Sequence, residues 1–279
     1  MDAALRGEDF LSVAAEIRVM SDGGEPLYVG VDWSDGAWFA VAFDGDGFDH
    51  AAVFDEVGEL WQRYEETATL ILIDVPIGLL ESGNGGRQCD QLAREVLGPA
   101  GEAVEAPPVR EATRKRRYPA ANRVNRRKAG RSLSRDAFEM NDGIAAVDSL
   151  LRNVPEAKTT FRESHPEVCF RAFADEPLSH RKRTAAGYAE RMRTLAGFDA
   201  DAPPTVQAAA EATAGAEVRV ADVLDAVALA YTARPGPGSL RSLPADPPRD
   251  PKGLPMKIVY RATSPLDASA DTVGRDSVE

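Results

Sequence analysis

Two apolar runs in this chain end on an acid. "LYVGVDWS" (27–34) carries its hydrophobic residues into Asp32, and "LILIDVP" (70–76) stops on Asp74 before a proline. One such ending is ordinary, because strands must stop somewhere and aspartate favours turns. Two of them offer a pair of carboxylates at strand ends. Two further acids, Asp222 and Asp225, stand three apart in "VADVLDAVALA", and so lie on one side of a helix. Val223, Leu224, Val227 and Tyr231 make the apolar face of that helix. The same spacing suits a solvated face, and an acid near a helix start is favoured by the dipole alone. If the four acids meet, they form a set of hard oxygen donors, which suits Mg²⁺ or Mn²⁺ held by a few carboxylates with water and substrate phosphate. Without a cation, four converging carboxylates repel and some stay protonated.

Whether they meet depends on the elements that carry them. The pattern predicts strand "LYVGVDW", strand "AWFAVAFD" after the Ser34-Asp35-Gly36 turn, and strand "HAAVF" after a Gly/Asp-rich connection. These are spaced as an antiparallel meander. "DEVGELWQRYEE" reads as a helix with Val57, Leu60, Trp61 and Tyr64 at helical spacing and Asp55 as its cap. "TLILID" is apolar up to its acid, as expected of a strand covered on both faces. A helix that returns the chain parallel to the first strand brings Asp32 and Asp74 to one edge.

From residue 84 the sequence predicts a short helix in "NGGRQCDQLAREVLG" with a glycine stop, a rigid "EAPPVRE" loop and a helical "LSRDAFEMNDGIAAVDSLLRNV". A strand "TTFRES" follows, then helices in "PEVCFRAFA", around 184–196, and in "EVRVADVLDAVALAYTA". The domain reading is a flexible extension over 1–26, a main domain over 27–234 with a helical and basic insertion near 84–153, and a Pro/Gly-rich tail over 235–279. The tail is broken only by the strand-like "MKIVYRA", and its final dozen residues read as disordered.

Composition narrows the class. With 279 residues, 43% hydrophobic and 28% charged, the chain is an ordinary globular one. No apolar stretch approaches the roughly 20 residues of a membrane span, and the start lacks a signal-peptide pattern, so a cytoplasmic protein is expected. Cys89 and Cys169 have no metal-ligand spacing and read as reduced thiols. The three histidines are too scattered for a zinc motif. The net charge is −12, with Arg far outnumbering Lys, a balance that suggests a salt-adapted, halophilic cytoplasm. It also argues against a protein that coats nucleic acid over its whole surface.

One stretch opposes that charge. Residues 110–135 hold 11 Arg or Lys against the single acid Glu111. A charge run is commonly a solvated segment. Beside a carboxylate site it could instead hold a polyanion, through Arg110, Arg114, Lys115, Arg116, Arg117, Arg126, Arg127 and Lys128. With Tyr118 its only aromatic, contacts would go to phosphates rather than to stacked bases.

The words around these acids resemble the family called domain of unknown function 429, whose members are predicted ribonuclease-H-like nucleases. They are "GVDW", "IDVPIGL", "RQCDQLAREVLG", "APPVR", "LSRDAFEM", "VDSLLR", "ESHPEVCFRAF", "KRTAAGYAERMRTL" and "VADVLDAVALA", in family order over roughly 27 to 234. The resemblance implies a ribonuclease-H-like three-layer α/β fold with a mixed five-stranded sheet. The last helix is also similar to that of RuvC-type resolvases, which implies a metal site of Asp32, Asp74, Asp222 and Asp225. Glu163, in the word "ESHPE", is implied as a site neighbour, and His165 could position the attacking water. The function expected is a Mg²⁺- or Mn²⁺-dependent nuclease using a carboxylate-held two-metal mechanism on nucleic acid, with no membrane partner. The type of nucleic acid and the oligomeric state stay open. Two rivals remain: a nucleic-acid-binding protein that keeps the fold without turnover, and an actin-like ATP-dependent kinase. The kinase needs a second phosphate loop and a glycine-rich adenosine motif, and the sequence has neither.

Overall fold

The computed structural model describes residues 25–267. The extension up to residue 24 and the final dozen residues lie outside the described residues. The chain builds β1 (Leu27–Ser34), β2 (Ala37–Phe43), β3 (Phe48–Phe54), α1 (Val57–Tyr64) and β4 (Ala68–Ile73). It then forms α2 (Gln88–Leu97), α3 (Arg110–Thr113), α4 (Tyr118–Ala129), α5 (Arg135–Glu139), α6 (Asn141–Asn153) and α7 (Pro155–Thr160). β5 (Phe161–Glu163), α8 (Pro166–Ala174), α9 (Ala185–Phe198), α10 (Ala202–Ala212) and α11 (Val220–Ala233) follow, and β6 (Ser239–Leu243) and β7 (Ile258–Ala262) end the fold.

Five strands make one mixed sheet in the order β3-β2-β1-β4-β5. β1 to β3 form the antiparallel meander, while β4 runs parallel to β1 and β5 parallel to β4. Strand alternation explains how each face is used. Leu27, Val29 and Val31 of β1, with Ile71 and Ile73 of β4, pack with Leu60 and Trp61 of α1 and Val147 and Leu151 of α6. The opposite face, including Leu72, packs against α11 and residues of α8 to α10. The sheet is therefore covered on both sides, which is why β4 is apolar along its length.

α11 comes close enough to β1 to require glycine. A Cβ on Gly30 would lie 2.2 Å from the Ala226 carbonyl oxygen and 2.3 Å from the Ala230 nitrogen. From Asp222 to Ala233 every residue of this helix is buried, so its acids are not on a solvated face.

Several local readings change. Glu56, not Asp55, precedes α1, and it makes no side-chain cap bond. The strand read in "TTFRES" shrinks to Phe161–Glu163, because Pro155 starts a helix that runs through Thr160. Thr159 and Thr160 donate hydroxyl bonds back to the Glu156 carbonyl, a local alternative to strand pairing. The long helix read from Leu133 is two, broken at Met140, with Ser134 capping the first by accepting from the Ala137 N–H at 3.0 Å. α10 lies in an alanine-rich segment whose weak apolar periodicity gave no signal. Part of the basic run is a helix, α4, with Pro119 in its first turn and Gly130 (φ 66°) closing it. The supposed tail contains an antiparallel β6–β7 ribbon, and Val259 of β7 bridges Ser164 just past β5.

The close approach of α11 gives the first prediction. Gly30→Ala is expected to cost about 1–3 kcal/mol, the usual range for overpacking, measured as a lower urea midpoint at unchanged m-value. An unaltered midpoint would mean that α11 does not sit on β1.

Candidate metal centre at the ends of β1 and β4

Register sets the first pair of acids side by side. Val31 is opposite Ile73 in the parallel β1–β4 pair, and the Asp74 N–H donates to the Val31 carbonyl at 2.9 Å. Asp32 shares the face of Gly30, and Asp74 shares that of Leu72, so both carboxylates belong to the side covered by α11. Asp222 lies one turn before Ala226, about 6 Å along the helix axis. Asp32 lies two residues beyond Gly30, about 6.6 Å along the strand. The two steps are similar in length, and the charges of Asp225 and Asp222 reach Asp32.

Three of the four are removed from water: Asp32 is 6% exposed, Asp222 4% and Asp225 0%. Asp74 is the most accessible of the four, though still largely covered. Burial, followed by the charges of Asp225 and Asp74, holds the Asp32 carboxyl well above the usual range, while Lys182 pulls the other way. Burial pushes Asp74 up to about 7, opposed by Lys182 and reinforced by Asp225, Glu167 and Asp222. These mutual effects are the electrostatic mark of converging carboxylates.

Two cations already attend the cluster. Lys182 Nζ is 2.5 Å from Asp225 Oδ2, and Asp225, Asp32 and Asp74 hold its ammonium strongly charged. Arg219 Nε donates to Asp222 Oδ2 at 3.0 Å. The segment carrying Lys182 is itself anchored. Glu190 accepts from the Ser179 and His180 N–H groups at 2.8 and 2.9 Å. Arg191 bonds the His180 carbonyl and both Glu167 oxygens. One carboxylate oxygen, Asp225 Oδ1, is buried with no hydrogen-bond partner. An all-carboxylate donor set with an orphaned oxygen fits a hard divalent ion such as Mg²⁺ or Mn²⁺.

The other sequence candidates go elsewhere. Glu163 accepts from Arg87 at 2.6 and 2.8 Å and from the Ile77 N–H at 2.7 Å. Burial still raises its carboxyl to about 7, against the pull of Arg87. His165 caps α8, its Nδ1 accepting from the Glu167 N–H at 3.2 Å. The ring also hydrogen-bonds the Ala103 backbone, and burial lowers its pKa. Its place is beside Glu167, whose charge reaches Asp74.

Arg110 is buried and ion-paired with Asp148 at 3.0 Å and with Asp250. That internal engagement separates it from Arg114, Arg116, Arg117, Arg126 and Arg127, which are exposed, and from the partly exposed Lys115 and Lys128. The insertion docks on the loop after Asp74: the Arg110 N–H donates to Leu80 and the Gly83 N–H to Lys128.

Sequence reasoning missed one donor group. Cys89, Asp90 and Glu163 bring ligand atoms within 4.8 Å of one another, the only such trio among the described residues; no three of the four aspartates come that close. It could bind metal, but the Arg87 guanidinium already bonds both carboxylates. Their signal was the word "RQCD", in which Arg87 and Asp90 stand one helical turn apart.

The raised carboxyls give a pH prediction. Unfolded, Asp74 titrates near ~3.9; folded, it titrates at about 7. Between those values the native state keeps a proton that the unfolded chain releases, so stability falls as pH rises through the window. Asp32 acts in the same sense. Measured by urea midpoint in chelator from about pH 4.5 to about pH 8, wild type should lose more stability than Asp74→Asn. Equal pH slopes would count against buried repulsion at Asp74.

No curated protein and no solved structure matches this chain. The model of one family, described as "Protein of unknown function (DUF429)", matches residues 30–249. That span begins two residues before Asp32, includes all four aspartates and Lys182, and ends beside Asp250, so the chain is a member of the DUF429 family.

Proposed function

We propose that this protein is a divalent-metal-dependent nuclease of ribonuclease-H-like architecture. The observation that carries the reading is the mutual charge repulsion of four aspartates drawn from three separate elements. Asp32 lies in β1 just past its last pair with parallel β4, Asp74 directly follows β4, Asp222 and Asp225 belong to the helix packed on that face, and Asp225 Oδ1 is buried and unpartnered. The strand order β3-β2-β1-β4-β5, with β2 alone running opposite to the other four, supports the architecture.

Asp32, Asp74 and Asp225 would hold the metal, with Asp222 oriented by Arg219 at the rim. A divalent ion bound there supplies a bound water of lowered pKa and charge to offset the scissile phosphate, as in two-metal hydrolysis. The protein's own groups do the rest. Lys182, at the accessible side of the cluster, can neutralise a non-bridging phosphate oxygen. The exposed arginines of α4 and the turn before it belong to an insertion whose Arg110 N–H and Lys128 carbonyl bond the loop after Asp74, and would suit a phosphate backbone rather than bases. His165 works through position, fixing the start of α8 and with it Glu167.

Asp32→Asn tests the reading, because the amide keeps the shape but loses charge and ligand strength. Incubated with single-stranded, duplex and branched RNA and DNA in Mg²⁺ or Mn²⁺, wild type is expected to hydrolyse at least one substrate in a chelator-sensitive way. The variant is expected to be inactive, yet at least as stable in chelator, since repulsion is relieved. An active variant, or an inert wild type across the panel, would contradict the proposal.

A further inference from the structure

The edge strand β5 borders a second charged feature, unrelated to the aspartates. A cavity of about 230 Å³ opens there, lined by Lys158, Arg162, Arg249 and Lys257 over an apolar floor that includes Phe161 and Leu254. Four cations line one small space in a chain of net charge −12, Lys158 and Arg249 exposed and Arg162 and Lys257 partly buried. The one acid in the lining is Glu163, and its carboxylate is already bonded to Arg87 and the Ile77 N–H.

Among the described residues, none of the four cations pairs with a carboxylate. Arg162 donates to the backbone carbonyls of Lys158 and Phe161 at 3.0 and 2.7 Å, and Arg249 to that of Gly253 at 2.8 Å. Among the described residues, the Lys158 and Lys257 side chains have no hydrogen bond or ion pair with protein. Burial, then the charges of Arg162 and Arg249, lower the pKa of Lys257, and burial lowers that of Arg162. The basic run behaves differently. Its own cleft contains Glu111, which Lys128 and Arg127 already neutralise at 2.7 and 3.2 Å.

We propose that this pocket is an anion site that takes the phosphate group of a phosphomonoester. Like charges brought together without a counter-ion destabilise a fold, and an anion is what offsets them. A phosphomonoester carries about −1.5 to −2 near neutral pH, a better match to four cations than a single carboxylate. The planar Arg162 guanidinium suits phosphate oxygens, and the lysines add point charge. The volume falls below the ~300 Å³ at which drug-sized pockets begin, so it admits a phosphate with a small organic portion against the apolar floor. The pocket borders β5, which lies two strands from β1, about 10 Å across the sheet. It can therefore be filled whether or not the aspartates hold metal.

The test is binding in chelator, by calorimetry and by melting, of inorganic phosphate, a 5′-mononucleotide and a short 5′-phosphorylated oligonucleotide. At least one of these is expected to bind and raise the melting temperature, and the matching nucleoside or dephosphorylated oligonucleotide to bind about tenfold or more weaker. Arg162→Gln with Lys257→Gln should weaken binding by about tenfold or more, while melting no lower without ligand. Lys257→Gln alone, at a partly exposed side chain, should weaken it in the same direction, and Asp32→Asn should leave it unchanged. A mononucleotide binding as well as the oligonucleotide makes a small phosphate compound the ligand; stronger oligonucleotide binding makes it a strand end. Absence of binding by all three probes, or undiminished binding by both Lys257 variants, overturns the proposal. Because chelator is present and Asp32→Asn is included, this outcome is independent of nuclease activity.

Discussion

Holding carboxylates out of water beside one another is the constraint on which this structure turns. A buried acid is costly unless paired, hydrogen-bonded or neutralised, and Asp32, Asp222 and Asp225 are all buried within electrostatic reach of Asp74. The fold could remove that cost by exposing the strand ends. It does the opposite, packing α11 onto β1 at Gly30 and burying Asp222 and Asp225 where their charges act on Asp32. Lys182 and Arg219 offset part of the charge. The remainder appears in the raised Asp32 and Asp74 carboxyls and in the orphaned Asp225 oxygen.

The neighbouring cluster is hydrogen-bonded throughout, although burial raises its Glu163 carboxyl as well. Around Arg87, each carboxylate oxygen of Asp90 and Glu163 accepts from the guanidinium, and Ile77 adds a backbone N–H. Arg110 performs a similar service for Asp148 and Asp250, tying the insertion to the segment before β7. These arginines stand in family words that the sequence reading associated with the site. Their geometry makes them internal braces that fix the loop after β4, from which Asp74 departs.

Much of this was legible because it depends on local pattern. The meander, α1, β4 and α11 follow from alternation and helical spacing, and the parallel β1–β4 pair follows from the intervening helix. The meeting of Asp32 with Asp74 needed only that pairing. Other features depend on contacts between residues far apart in sequence. Nothing near Arg110 announces Asp250, which lies 140 residues away, and nothing near Arg162 announces Lys257. Lys182 was legible only as part of a family word, because its role comes from a loop pinned by Glu190 and Arg191. The ribbon of β6 and β7 was hidden by surrounding prolines and glycines, which signal turns but say nothing about what the turns connect.

The central claim is that the four aspartates form a cation site. Its most direct measurement is the anomalous scattering of crystals grown with Mn²⁺, which locates the ion without reference to activity. The account predicts a peak bounded by Asp32, Asp74 and Asp225, with Lys182 displaced from Asp225, and loss of that peak in Asp32→Asn crystals. Mn²⁺ bound instead among Cys89, Asp90 and Glu163, or aspartates still held by Lys182 with no peak beside them at saturating Mn²⁺, would contradict it.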